Sequence, residues 1–200
     1  MAKWWSEYQV NVPVGTLGHW RVERFSVSEE EAARERLRAF CSRDGRCVPV
    51  GEYTRLMRGR AIVMSDTPDE IRDHLRPIHK ATGQCLVNGL GLGVVVQAML
   101  ANDRVECVTV VEKSLEVIAL VGVYYEAVFG SRLSLVHGDA FTWKPPRCTR
   151  YSVVWHDIWD TICLDNLPEM ATLHRRYGRR CDWQGSWCRE LLQSLRRRGR

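Results

Sequence analysis

The chain has 200 residues, enough for one compact domain with a small appendage. With 45% hydrophobic and 26% charged residues it has the balance of a globular protein, and no run of eighteen apolar residues marks a membrane span. The net charge of +5 is uneven: residues 174–200 carry nine Arg against Asp182 and Glu190, a local +7 that leaves about −2 for the rest.

The start, Met-Ala-Lys-Trp-Trp, lacks the basic-then-apolar profile of a secretion signal, so a cytoplasmic location is expected. None of the eight cysteines forms a C-x-x-C pair, and no His pair sits at finger spacing, so neither a metal site nor a disulfide framework is expected. The basic tail suits a polyanion or a solvated terminus, and no motif marks nucleic acid as the partner.

In chain order, Tyr8, Val10 and Val12 alternate as an extended segment, and Trp20, Val22, Phe25 and Val27 resume the pattern after a turn region. Ser28 and Glu31 form a capping box. The helix behind them puts Ala33, Leu37 and Phe40 on one face, and Arg43-Asp44-Gly45-Arg46 breaks it. Two short strands, Tyr53 to Met57 and Ala61 to Ser65, read as a hairpin. Asp66-Thr67-Pro68 then opens a helix, with a capping side chain ahead of a first-turn proline.

From here strands and helices alternate. The strands are Cys85 to Asn88, Val105 to Glu112, Leu133 to His137 and Tyr151 to His156. A helix spans Val94 to Ala101 and a longer one Ser114 to Phe129, the latter packing through Leu115, Ile118, Ala119 and Tyr125. This alternation predicts an α/β, Rossmann-like fold with a mostly parallel sheet. After Trp159 the pattern offers two helices, the second packing through Trp187, Leu191 and Leu195, and no convincing strand. The C-terminal half is thus shortened, and the edge of the fourth strand needs cover from the C-terminal helices or from a second subunit in a homodimer. The expected division is a β-rich N-terminal region over 1–65, the cofactor-binding core over 66–162 and a helical region with a basic tail over 163–200.

The turn Asn88-Gly89-Leu90-Gly91-Leu92-Gly93 follows the first strand of this core and opens a helix. Glycines at alternate positions let the backbone bend and a ligand approach. Glu112 closes the next strand, where an acid accepts hydrogen bonds from ribose hydroxyls. The third strand ends in Gly138-Asp139-Ala140, with Asp139 placed for an adenine amino group. The fourth ends in His156-Asp157-Ile158-Trp159-Asp160. Asp157 falls beside the reactive end of a bound cofactor, and His156 alternates to the other side as a structural residue.

These four strand ends together resemble a class I S-adenosylmethionine-dependent methyltransferase. The stretch from Tyr53 to Asp160 is similar to the spermidine synthase branch, through Met64-Ser65-Asp66-Thr67-Pro68-Asp69-Glu70, Val108 to Glu112, Leu135 to Ala140 and the spacing Asp157-x-x-Asp160. The whole chain also resembles short, phage-type methyltransferase-like proteins. The resemblance implies S-adenosylmethionine as cofactor, held by Gly89, Gly91, Gly93, Glu112, Asp139, Ala140 and Asp157, with Asp157 and Asp160 as catalytic residues and a small molecule or unknown acceptor as partner. It departs from the synthases at Met64, Leu75, Leu90, Leu92 and Thr161, and lacks the strands that finish a polyamine pocket. Three readings follow: a methyltransferase, an aminopropyltransferase-like enzyme, or a non-catalytic cofactor-binding module.

Overall fold

The computed structural model describes residues 3–42 and 47–199. An antiparallel sheet comes first: β1 (Gly15–Leu17), β2 (Trp20–Val27), β3 (Gly51–Arg58) and β4 (Ala61–Ser65), in that order. The segment before it is extended from Gln9 onward, outside either sheet, with Val10 and Val12 buried, whereas Tyr8, expected in that segment, closes a 3-10 turn (Ser6–Tyr8). Helix α1 (Glu29–Ser42) connects β2 to β3. Its capping box forms as expected, with the Glu31 N–H donating to Ser28 Oγ at 3.3 Å and the Ser28 N–H to Glu31 Oε2 at 2.8 Å.

The apolar face expected on α1 is not buried. Leu37 and Phe40 are 67% and 84% exposed, Ala33 is exposed too, and Ala32 is the residue that reaches the core. Seven of the fourteen helical residues are charged, so one narrow stripe offers little area to hold the helix down. The expected break at residues 43–46 lies outside the described residues.

The helix expected after Asp66-Thr67-Pro68 forms, with the proline in its first turn, but no side chain makes the capping hydrogen bond. Thr67 takes the N-cap position of helix α2 (Pro68–Lys80), and Asp66 is buried behind it. Its Oδ1 accepts from the Thr54 N–H at 2.6 Å and its Oδ2 from the Val10 N–H at 3.1 Å. One carboxylate therefore pins the N-terminal segment and β3 together. Burial raises its pKa, against the pull of those hydrogen bonds.

The second sheet is parallel throughout: β5 (Gly83–Asn88), β6 (Val105–Glu112), β7 (Leu133–His137), β8 (Tyr151–His156) and β9 (Cys181–Ser186), ordered β7-β6-β5-β8-β9. Strand β9 corrects the reading that no strand follows Trp159. It pairs with β8 from Tyr151↔Cys181 to His156↔Ser186, so the edge of β8 is covered within the chain. The sequence Cys-Asp-Trp-Gln-Gly-Ser hid it, since it lacks β-branched residues and carries a glycine that usually weakens a strand. Gly185 has a packing reason: a Cβ there would meet the Trp155 and Trp183 rings, which stack with centroids 6.3 Å apart.

Helices cover both sheet faces. On one side, Val87, Val108, Val110 and Val153 join Val10, Val22 and Leu56 of the N-terminal region in one continuous cluster. On the other, Leu86, Val111 and Val154 pack against Leu173 and Tyr177 of α6 (Asn166–Tyr177). Two covered faces explain why these strands read as apolar runs instead of alternating.

The long helix after β6 is interrupted. Helix α4 (Leu115–Val117) passes into a π turn (Ile118–Gly122) and then into α5 (Val123–Phe129). Tyr125 is buried as expected, but the wider turn brings Val117 and Val121 onto its face and leaves Leu115 and Ala119 exposed and Ile118 half-buried. The last helix, α7 (Arg189–Arg198), starts behind the left-handed Cys188, beyond the Trp187 expected within it. Trp187 therefore precedes the helix, and Leu192 is buried where Leu191 and Leu195 had been expected.

Candidate functional site

A cleft of about 260 Å³ opens at the carboxyl ends of the parallel strands, where ligands of open α/β sheets sit. Gly89, Gly91, Glu112, Asp139, Ala140, Asp157 and Asp160 all line it. Gly93 does not. It lies beneath, at the start of α3 (Val94–Leu100), with a positive φ of 76° and its α-carbon against the Tyr125 ring.

The glycine turn is gripped by the protein itself. A Cβ on Gly89 would collide with the Asp157 carbonyl, and one on Gly91 would stand 2.5 Å from Met64 Sδ. Met64 also accepts the Leu92 N–H at 3.3 Å. Tyr125, buried in the core, donates its hydroxyl to the Leu92 carbonyl at 2.9 Å. The glycines are thus required by close packing of Asp157, Met64 and Tyr125 as much as by any ligand.

Glu112 closes the turn from the side. Its Oε2 accepts the Leu90 N–H and its Oε1 the Ser114 N–H, each at 2.8 Å. Each oxygen keeps lone-pair capacity toward the cleft. At the end of β7, Asp139 Oδ1 accepts the Phe141 N–H at 2.8 Å and Oδ2 accepts from Lys113 Nζ at 3.0 Å. Those bonds hold its carboxyl below the usual range.

Asp157 follows β8 directly, and its N–H donates to the Asn88 carbonyl at 2.8 Å, tying the ends of β5 and β8. Burial, then the negative charges of Glu70, Asp73 and Glu112, push its carboxyl up to about 7. His74 of α2 stands beside it, with Nε2 3.7 Å from Asp157 Oδ2. Burial lowers the His74 pKa to about 4, so the imidazole is neutral. Asp160 sits further out, in an ion pair with Arg58 of β3, whose guanidinium covers the Trp20 ring. Trp159 donates its Nε1–H to Glu169 Oε2 at 2.7 Å.

His156 points away from the cleft into a buried polar network. Asn88 Nδ2 donates to its Nδ1 at 2.8 Å, which leaves the proton on Nε2, 3.4 Å from Gln184 Oε1. The structural reading of His156 fits this placement.

No protein-family model matches the chain, and no curated protein does. Solved structures do. The CcbJ methyltransferase of Streptomyces caelestis aligns at 24% identity and a TM-score of 0.46, over 57% of this chain and 46% of its own. A dimethyladenosine transferase of Plasmodium falciparum aligns at 18% identity and 0.38, over 46% and 32%. The cyclase SpnF aligns at 17% and 0.45, over 58% and 44%. The chain spans less than half the length of each.

The cleft also holds residues outside the expected set, and four of them bear on its chemistry. Glu70 accepts from the Ser65 N–H and hydroxyl at 2.6 and 2.8 Å, and it lines the cleft with His74, Trp20 and Trp187. Glu70 ends the stretch Met64 to Glu70 and His74 follows one turn along α2, but nothing local in the sequence says that α2 lies along β8. Trp20 and Trp187 come from distant segments and carry no sequence signal.

Proposed function

We propose that the cleft binds S-adenosylmethionine and that the protein transfers its methyl group to an acceptor held beside Asp157. The observation that carries this reading is the convergence of Glu112, Asp139 and Asp157, from three successive strand ends, around the glycine turn in one cleft.

The residues present fit the cofactor. Glu112 retains acceptor capacity for ribose hydroxyls on two oxygens already fixed by backbone N–H groups. Val111 and Phe141 offer apolar surface for a purine next to Asp139 and Ala140. Gly89 and Gly91 would carry the methionine end, and the acids Glu70, Glu112 and Asp157 favour a sulfonium cation there. Bound cofactor would supply an already activated methyl group, so the chain's task is alignment and exclusion of water. Asp157, with a carboxyl near neutrality, is suited to take a proton from an acceptor N–H or O–H.

The aminopropyl-transfer reading needs Asp157 and Asp160 as a pair facing an amine. Asp160 is engaged by Arg58 at the rim, which leaves that reading less to stand on. A cofactor-binding module without turnover shares the cofactor site and differs only in lacking an acceptor.

Isothermal titration of the folded protein with S-adenosylmethionine and with S-adenosylhomocysteine tests the proposal. Both should bind at the same site. Absence of both, with an intact circular dichroism spectrum, sinks it.

A further inference from the structure

His74 is buried to 2% exposure and stands edge-on to Trp155, with ring centroids 5.9 Å apart. Among the described residues its buried Nδ1 has no hydrogen-bond partner, while its Nε2 faces the Asp157 carboxylate. An unpartnered ring nitrogen inside a core costs stability, and a phenylalanine would fill the same slot without that cost. The imidazole therefore calls for a reason other than packing.

The proton's place follows from electrostatics. Put on Nδ1, it would be a buried unpaired N–H, and the Nε2 lone pair would face carboxylate lone pairs. Put on Nε2, it faces a negative oxygen 3.7 Å away. The other groups bearing on Asp157 are acids: Glu70 and Asp73 from α2 and Glu112 from β6. Each of them disfavours its ionised form. His74 is the neighbour on α2 that can offer it a positive dipole end.

We infer that His74 is a positioning residue for Asp157, its Nε2–H orienting Oδ2 and favouring the ionised carboxylate so that the second oxygen meets the acceptor. The inference rests on the proposed function for what Asp157 does, and on geometry alone for the contact. Neutral histidine suits the task, since its low basicity keeps it from taking the proton that Asp157 is to receive. The pair then acts as one unit, with Asp157 as the proton-handling group and His74 fixing its aim.

The test is spectroscopic and uses the full chain without an acceptor. Side-chain ¹⁵N–¹H correlation at pH 8.5 should show His74 as the Nε2–H tautomer; an Nδ1–H tautomer overturns the inference with no variant needed. In protein carrying ¹³Cγ-aspartate, the His74→Phe variant should titrate Asp157 about one pH unit higher than the wild type, because a dipole favouring the charged form is gone. His74→Gln, which can place an N–H near the Nε2 position, should restore the wild-type midpoint to within about 0.3 units. Equal midpoints in wild type and His74→Phe, or no rescue by glutamine, overturn the inference. Titration with S-adenosylhomocysteine separates the two readings: wild type that fails to bind it counts against the proposed function, while the Asp157 midpoints still judge His74.

Discussion

At the scale of single residues, the acids of the cleft differ in what holds them. Glu112 is fixed by two backbone N–H groups, so Glu112→Gln keeps the shape but offers an amide where a carboxylate stood. We expect that change to weaken S-adenosylhomocysteine binding about tenfold, and Glu112→Ala to weaken it further, because hydrogen bonds to charged groups contribute roughly 1.5–3 kcal/mol. Unchanged affinity in the alanine variant, measured by titration, would remove Glu112 from the cofactor site. Gly93 makes a different prediction. Its left-handed φ and the Tyr125 ring against it leave no room for a side chain, so Gly93→Ala should destabilise the fold by about 3 kcal/mol or more. Denaturation midpoints check this. The strand-end acids were legible in the sequence because spacing along a βαβ unit fixes where strands stop. The partners of the glycine turn and of Asp157 were not: the contacts of Leu92 with Met64 and Tyr125 and of Asp157 with His74 join residues 28 to 83 positions apart, and no local pattern encodes them.

At the scale of elements, Asp66 fastens the N-terminal segment to the antiparallel sheet. It satisfies the Val10 and Thr54 N–H groups at once, between the N-terminal segment and β3. Asp66→Ala leaves both donors without that acceptor, and we expect a loss of about 2–4 kcal/mol from two unsatisfied buried groups. Asp66→Asn keeps one acceptor oxygen and should lose less. Equal stability of wild type and alanine variant, by urea denaturation, would show that water replaces the carboxylate. This element-level joint was invisible in the sequence, where Asp66-Thr67-Pro68 reads only as the opening of a helix. Four of the five parallel strands were legible, because runs such as Val108 to Val111 are apolar on both faces and bounded by turn residues. Strand β9 was not, since its pairing with β8 is set by tertiary packing of Trp183 on Trp155 and not by propensity. The faces of α1, α4 and α7 were misjudged for a common reason. A helical wheel assumes a regular helix and a known start, whereas a π turn, a charged surface and a left-handed residue changed the phase.

At the scale of the whole molecule, the buried titratable groups set how stability responds to pH. Burial lowers His74 and His174 to about 4 and His156 to about 3; the neighbouring Arg189 adds to the effect at His174, and His174 itself adds to it at His156. The unfolded chain protonates these histidines near 6.5. Between that value and about 4, unfolding takes up their protons, so the stability they permit is present above pH 6.5 and is lost as pH falls through the window. Asp157 works in the opposite direction. Its folded pKa of about 7 lies above the unfolded value near 3.8, so its contribution is present at low pH and is lost as pH rises toward 7. In the overlap, three histidines oppose one aspartate, a net uptake of about two protons on unfolding. Each proton is worth about 1.4 kcal/mol per pH unit, so stability should fall by about 2–3 kcal/mol between pH 6 and pH 5 at most. Above about pH 7.5 these four groups add no further slope, so stability levels off there. Urea denaturation at pH 5, 6.5 and 8 measures this directly. A midpoint that holds constant or rises from pH 6.5 to 5 would mean that the histidines are not buried as neutral rings. His156→Gln should flatten the acid limb, since it removes the ring whose Nδ1 is already occupied by the Asn88 amide. Asp157→Asn should instead steepen it, because the group opposing the histidines is gone.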